Sequence, residues 1–283
     1  MNYQIDKNLV KSTVKIRPKD ADKTTVGTLL SICGSYGMAG AAIMSAKSAL
    51  RSGVGLLKLI VPQTVYPIMA SAVPEAVFIP IKNNHAFDVE SKSRYCNAVL
   101  CGCGLGVSEY SKDLLYKTLY RCELPMIFDA DALNIIADDH DILGYAKAPV
   151  ILTPHDREFA RLLGCHTEMI KNKREELALS FAERNNVIVV LKGSKTIVAS
   201  PDGDVLFNEE LGNAGMAVGG SGDVLAGIIA ALVAQGGDPF KSAAAGVYIH
   251  ALAGDIAAEK FGEISLLPTD IIDCLPEAYK RLF

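Results

Sequence analysis

No two of the seven cysteines stand in a Cys-x-x-Cys pair, the spacing that zinc ribbons and thioredoxin-like redox sites need. Their number is odd, and most lie in apolar runs such as AVLCGCG (98–104), so they read as small buried hydrophobes of a reducing cytoplasm. The first twenty residues lack an apolar core, which excludes a secretory signal. The longest apolar run, Val224 to Ala234, is eleven residues, whereas a bilayer core needs about 20. Charge of one sign is also missing: 28 Lys and Arg against 32 Asp and Glu leave a net charge of −4. Such a balance offers no electrostatic footprint for nucleic acid.

What is present is an ordinary globular composition. Half of the 283 residues are hydrophobic and 21% are charged, which excludes intrinsic disorder. No linker, charge block or internal repeat divides the chain, so a single domain over residues 1–283 is expected. Short β-branched runs alternate with Ala- and Leu-rich helical runs. Strands are read at 28–33, 56–61, 98–101, 126–129, 150–153 and 187–191. Helices are read at 39–51, 111–120, from about 132, and at 157–163, 172–184, 222–234 and 241–260. Residues 196–199 and 205–208 flank a Pro-Asp-Gly turn and predict a hairpin. This order implies an α/β fold: a mostly parallel central sheet with helices on both faces and an antiparallel edge hairpin. Continuous hydrophobicity in VIVVL and LLKLIV fits strands buried on both sides.

Ligands of open α/β sheets bind beyond the carboxyl ends of the strands. Fifteen of the 24 glycines fall within 27–55, 102–106 and 212–227, where strands hand over to helices. The densest segment is Asn213-Ala-Gly-Met-Ala-Val-Gly-Gly-Ser-Gly-Asp223, which runs straight into the apolar helix. Gly219, Gly220, Ser221 and Gly222 would present backbone N–H groups at a helix N-terminus, where the dipole favours a phosphate or a developing oxyanion. Asp223, in the first turn, is placed to take a proton from a substrate hydroxyl. Without a ligand the same residues would only start a helix.

The segments GNAGMAVGGSGDVLAG, TPHDREFARLLG, VVLKGSKTIVASPDG and GSYGMAGAAIMSAKSALRSGVGLL together resemble the ADP-dependent (S)-NAD(P)H-hydrate dehydratases of the ribokinase-like superfamily. The resemblance runs from about Leu29 to the last helix. Only about 25 residues precede the first strand, so the expected form is the dehydratase without the epimerase domain often fused to it. The resemblance implies repair of NADH hydrate and NADPH hydrate at the expense of ADP, with Mg²⁺, through a phosphorylated intermediate. It makes Asp223 the base, with Gly220 and Gly222 beside it as catalytic. It makes Gly219, Gly220, Ser221 and Gly222 the anion hole for the moving phosphoryl group.

By the same resemblance, Lys192, Gly193, Ser194, Lys195 and Thr196, together with Gly222, would bind the nucleotide. Ala41, Ala42, Gly104, His155 and Asp223 would meet the hydrate. Taken alone, the Lys192–Thr196 segment is equally a basic turn into a hairpin, and Ala41 and Ala42 are equally small residues packing a helix on the sheet. Glu158 is a candidate for holding a metal or water near the phosphates. Asp131, in a DADALN segment shared with the family, either caps a helix or faces the ligand. His85, His140, His166 and His250 receive no role. Two positions depart from the family pattern: Cys103 replaces the proline of its Gly-Pro-Gly-Leu-Gly loop, and Val218 replaces a threonine. No dedicated metal cluster is legible, so the ion is expected to ride on the nucleotide. Family habit and apolar exposed helices point to a homo-oligomer. Two other functions remain open: a ribokinase-like kinase of small vitamin precursors, which would stop at the phosphorylated product, and a non-catalytic nucleotide sensor, which would lack the base.

Overall fold

Strands built from runs such as TLLSI, AVLC and IVVL carry apolar side chains on both faces, and all three are buried throughout. They belong to a computed structural model that describes residues 2–23, 25–82 and 88–283; His85 lies outside these. In chain order the elements are β1 (Asn2–Gln4), α1 (Lys7–Thr13), β2 (Thr28–Ile32), α2 (Ala39–Arg51), β3 (Leu56–Pro62), α3 (Tyr66–Ala72), β4 (Val77–Ile81) and α4 (Val89–Ser93). Then follow β5 (Ala98–Cys101), α5 (Glu109–Arg121), β6 (Met126–Phe128), α6 (Asp131–Asp138), β7 (Val150–Leu152), α7 (Asp156–Leu163), α8 (Thr167–Asn172) and α9 (Arg174–Asn185). The chain ends with β8 (Ile188–Leu191), β9 (Thr196–Ala199), β10 (Val205–Asn208), α10 (Ser221–Ala234), α11 (Pro239–Phe261) and α12 (Pro268–Leu282).

Among the described residues these strands form one ten-stranded sheet in the order β1-β10-β9-β8-β7-β6-β5-β2-β3-β4. Only β9 runs against its neighbours, and the short β1 pairs parallel to β10 beyond the hairpin. Alternation along each strand divides the core. Leu29, Leu57, Leu59, Leu100 and Ile127 join α1, α2, α3, α10, α11 and α12 on one face. Leu30, Ile60, Val99, Cys101 and Phe128 join α4 to α9 on the other. The helix expected at 172–184 starts two residues later: Lys173, with φ −140°, ends α8 and α9 begins after it.

The chain runs from β2 out to β3 and β4, then returns to the other flank of β2 as β5 and steps away through β6, β7 and β8. The strand order therefore reverses between β2 and β5, and a crevice opens at their carboxyl ends. Helix α10 leaves the edge hairpin and crosses back over this region. It is apolar all round, which requires burial on every side. Gly227 lets α2 come close: a Cβ there would lie 2.1 Å from Ser48 Oγ and 2.2 Å from the Ser45 carbonyl oxygen. Gly227→Ala should therefore destabilise the fold by about 1–3 kcal/mol in urea titration. Gly144→Ala, whose added Cβ meets nothing within 4 Å, should change stability by less than about 0.5 kcal/mol.

Candidate active site

Parallel pairing sets the first part of the site. Ile32 pairs with Cys101, Cys101 with Phe128 and Phe128 with Leu152, so these strands end level. The next residues, Cys33, Gly102, Asp129 and Thr153, therefore emerge side by side. The ladder continues into them: Gly102 N–H donates to Ile32 O (3.2 Å), Asp129 N–H to Cys101 O (3.2 Å) and Thr153 N–H to Phe128 O (3.1 Å). Lys192 joins the row through its N–H to Pro154 O at 2.8 Å. Gly102 has φ +124°, and a Cβ would lie 1.9 Å from the Asp129 carbonyl oxygen, so only glycine fits.

Asp129 is 1% exposed. Its Oδ1 accepts from Thr153 Oγ1 at 2.7 Å and from the Lys192 ammonium at 2.8 Å. Its Oδ2 faces the Cys103 thiol, 3.9 Å away. The Lys192 ammonium also lies 3.9 Å from Glu158 Oε2 and 3.1 Å from where a Cβ on Gly222 would stand. It thus sits against the first turn of α10. Burial disfavours the charge on Lys192, but the Asp129 and Glu158 carboxylates outweigh it and hold the pKa above the ordinary value. Burial, then repulsion from Asp129, pushes Asp223 up to about 6 against the pull of the Cys103 thiol and Lys192. Burial likewise lifts Glu158 to about 7.

The start of α10 is the second part. Gly220 is its N-cap at φ +105°, and the space a Cβ would need is filled by Met44. Ser221 N–H donates to Val218 O at 3.2 Å, and Ser221 Oγ meets His250 Nε2 at 3.2 Å. Burial pulls His250 down to about 4, so its ring is neutral near pH 7. These bonds leave the amides of Gly222 and Asp223 as the first-turn donors without an intrahelical acceptor. Behind them, Asp255 of α11 accepts from Gly212 N–H and from Asn213 Nδ2, each at 2.9 Å. Gly219 faces open space.

The structure gathers Gly219, Gly220, Ser221, Gly222, Asp223 and Lys192 in one place, and it corrects several details. Ser221 spends its amide on Val218 and pairs its hydroxyl with His250, so it secures the helix start. His250, assigned no role from sequence, is the buried partner that holds it. Lys192 is tied into the Asp129 pair. Lys195 turns to the hairpin, 3.2 Å from Glu209 and 4.3 Å above the Phe207 ring. Thr196 Oγ1 closes its own turn, accepting from Gly193 N–H at 3.3 Å and donating to Gly193 O at 2.9 Å. Gly193 and Ser194 are exposed. Arg174, not foreseen, buckles this segment through Nη2 to the carbonyls of Leu191, Lys192 and Lys195.

Ala41 stands beside Gly104 at the start of α2 and is half-buried. Ala42 is fully buried in the core, so its side chain is closed to a ligand. His155 caps α7: its Nδ1 accepts from the amides of Arg157 (3.0 Å) and Glu158 (3.2 Å). Burial, Lys192 and Arg161 lower its pKa, which keeps Nδ1 an acceptor. Asp131 does not cap α6, whose N-cap is Ala130; its Oδ2 accepts from Gly106 N–H at 2.8 Å and ties the glycine loop to α6.

Fold and site together define a ribokinase-like α/β protein with a half-buried carboxylate on the helix turn that closes the sheet's switch point. The family model described as NAD(P)H-hydrate dehydratase matches residues 29–277. An ADP-dependent (S)-NAD(P)H-hydrate dehydratase of Neisseria meningitidis is 38% identical over 252 residues, 88% of this chain and 83% of that protein. A bifunctional NAD(P)H-hydrate repair enzyme of Moorella thermoacetica is 36% identical over 280 residues; the alignment covers 96% of this chain and 53% of that protein, so the chain spans about half of that relative's length. The crystal structure of the ADP/ATP-dependent NAD(P)H-hydrate dehydratase of Bacillus subtilis, co-crystallised with ATP and Mg²⁺, superimposes with a TM-score of 0.85 at 30% identity over 99% of both chains. The chain belongs to the NAD(P)H-hydrate dehydratase family.

The raised carboxyls fix a stability trend. Asp223 and Glu158 hold protons more tightly folded than unfolded, so the stability they contribute is complete below about 4 and is lost as pH rises through about 6 and about 7. Asp223→Asn should therefore raise Tm at neutral pH by a few degrees. It should also flatten the fall in denaturant midpoint between about pH 5 and 7. Lys192→Met should act oppositely, costing about 3–5 kcal/mol because it leaves the buried Asp129 carboxyl without its cation.

Proposed function

We propose that residues 1–283 act as one ribokinase-like dehydratase domain. It would use ADP to convert (S)-NADH hydrate and (S)-NADPH hydrate to NADH and NADPH, releasing AMP and phosphate. The observation that carries this is Asp223: a half-buried carboxylate whose pKa is raised to about 6, on the same helical turn as two amides without an intrahelical acceptor. Base and anion hole thus share one rigid element.

The hydrate carries a hydroxyl on the ring carbon beside the nitrogen. Asp223 accepts the hydroxyl proton as that oxygen attacks the terminal phosphorus of ADP, and the bond to the AMP oxygen breaks. The Gly222 and Asp223 amides, with Gly219 and Gly220 leaving room for close approach, take up the charge on the moving phosphoryl oxygens. The Lys192 ammonium, already against Gly222, adds a fixed positive charge there. The ring nitrogen then expels phosphate and the neighbouring carbon loses a proton, restoring the dihydronicotinamide. The oxygen of the hydrate leaves in the phosphate. Ala41, Gly104 and the half-exposed His155 ring line the approach of the hydrate, while Gly193 and Ser194 offer exposed backbone to the nucleotide.

Mg²⁺ fits this donor set as an ion shared with phosphates: Asp129 Oδ2 has no N–H or O–H donor on it, and Glu158 lies across Lys192. When bound it neutralises charge between the phosphates. A cytoplasmic setting and a homo-oligomer are part of the same reading. Seven unpaired cysteines, six of them buried, support the first, and exposed Tyr36, Phe261 and Ile264 support the second. Among the described residues no helix is long and apolar enough to cross a membrane.

Asp223→Asn should lower the rate of NADH recovery from NADH hydrate and ADP by about 10²–10⁴-fold while nucleotide binding persists. An unchanged rate would remove Asp223 from the chemistry. Turnover of an alcohol vitamin precursor without hydrate repair would point to the kinase instead. In the wild type, kcat/KM should rise with pH through about 6 and then level, because the base acts only when ionised.

A further inference from the structure

The mechanism leaves one side chain beside the base without a task. Cys103 is fully buried, yet its sulfur is the third corner of a cluster with Asp129 and Asp223. One donor atom from each lies within 4.8 Å of the others, and the cluster is open to the cleft through half-buried Asp223. Asp129 Oδ1 is spent on Thr153 and Lys192, while Oδ2 turns to the thiol at 3.9 Å. Tetrahedral zinc, at about 2.3 Å from sulfur and about 2.0 Å from oxygen, needs an S···O separation of about 3.5 Å. The pair is thus within about 0.4 Å of ligating geometry. Buried Cys33, whose neighbour Gly34 donates its N–H to the Cys103 carbonyl at 2.9 Å, stands close by.

We propose that Cys103, Asp129 and Asp223 form a binding site for a thiophilic divalent cation such as Zn²⁺, and that filling it inhibits the enzyme by occupying the lone pairs of the base. The inhibitory half rests on the role given to Asp223 above. Two carboxylates whose oxygens share the cluster with the sulfur gain from a shared dication. The sulfur makes the site selective: thiolate favours zinc and its soft neighbours, whereas Mg²⁺ takes oxygen donors and gains nothing from it. A proline at position 103, the residue in the family's loop pattern, would supply no ligand, so the sensitivity belongs to chains that carry cysteine there.

Titration of the wild-type enzyme with Cd²⁺, without substrate, tests the site itself. One Cd²⁺ per chain should bind with a thiolate-to-metal charge-transfer band in the ultraviolet. Cys103→Ser should abolish the band, and Cys165→Ser, which alters the one partly exposed cysteine, should keep it. X-ray absorption on the wild-type zinc form should give a sulfur at about 2.3 Å with oxygens at about 2.0 Å, a measurement that needs no variant to fold. Changes one shell further out already cost about 10–100-fold in metal affinity, so loss of the sulfur should cost at least about 100-fold. Zn²⁺ should also suppress NADH recovery in excess Mg²⁺, and a chelator should restore it. An oxygen-only shell, or a band that follows Cys165, overturns the site. Stoichiometric binding through sulfur with undiminished turnover overturns the inhibition. The charge-transfer band is read without chemistry, so it stands apart from the Asp223→Asn assay that decides the base.

Discussion

Asp129 is the constraint on which the site depends. A carboxylate at 1% exposure survives only if its charge is met, and here Thr153 and Lys192 meet it on one oxygen. That one pairing fixes much else. It draws the Lys192 ammonium inward, away from solvent and against the first turn of α10. It places a negative charge close enough to Asp223 to add to the effect of burial, which keeps the carboxyl of Asp223 a better proton acceptor than a free aspartate. It leaves Oδ2 facing Cys103. Three features thus follow from how one buried charge is shared: a cation against the first turn of α10, a carboxyl with a raised pKa, and a carboxylate oxygen that faces a thiol.

The backbone makes this arrangement inexpensive to hold. Strands that end level deliver Cys33, Gly102, Asp129 and Thr153 as neighbours without any loop having to reach. Asp131 then pins the glycine loop, Arg174 pins the turn after β8, and Asp255 pins the loop before α10. Each holds backbone groups of a segment that faces the cleft, so loops rich in glycine enter the site with little freedom left to lose. Their rigidity comes from side chains on helices, not from the loops' own residues.

Local periodicity was enough for most of the frame. Helix α2 and the hairpin fall where the Ala-rich run and the Pro-Asp-Gly turn put them, because both patterns are satisfied within a few residues. The burial of β8 was legible for the same reason, whereas β3, also read as buried on both faces, leaves Leu56 and Lys58 partly exposed. Strand β4 was not legible, because Pro80 interrupts a short edge strand that is partly exposed. The site divides along the same line. The glycines and Asp223 announce themselves as a dense local motif. His250, Arg174 and Asp255 do not, because their partners lie 29, 17 and 43 positions away and only the tertiary fold brings them together. Ala42 is the converse case: its motif points to a ligand, while the helix turns its side chain into the core.

The division between local motif and distant support also shows in the loop around Cys103. The flanking glycines supply the conformations: Gly102 the close pass over Asp129, Gly104 the contact with α2. The loop is closed by Gly34 N–H donating to the Cys103 carbonyl at 2.9 Å and by Gly106 N–H donating to Asp131. Neither bond uses the side chain or the amide hydrogen of residue 103. What changes with that side chain is the chemistry directed at Asp129. A proline ring offers Oδ2 only apolar contact; a thiol offers a weak donor in the resting state and, once deprotonated, a soft ligand. The side chain at 103 therefore sets what Oδ2 of Asp129 can share, here a thiol 3.9 Å away.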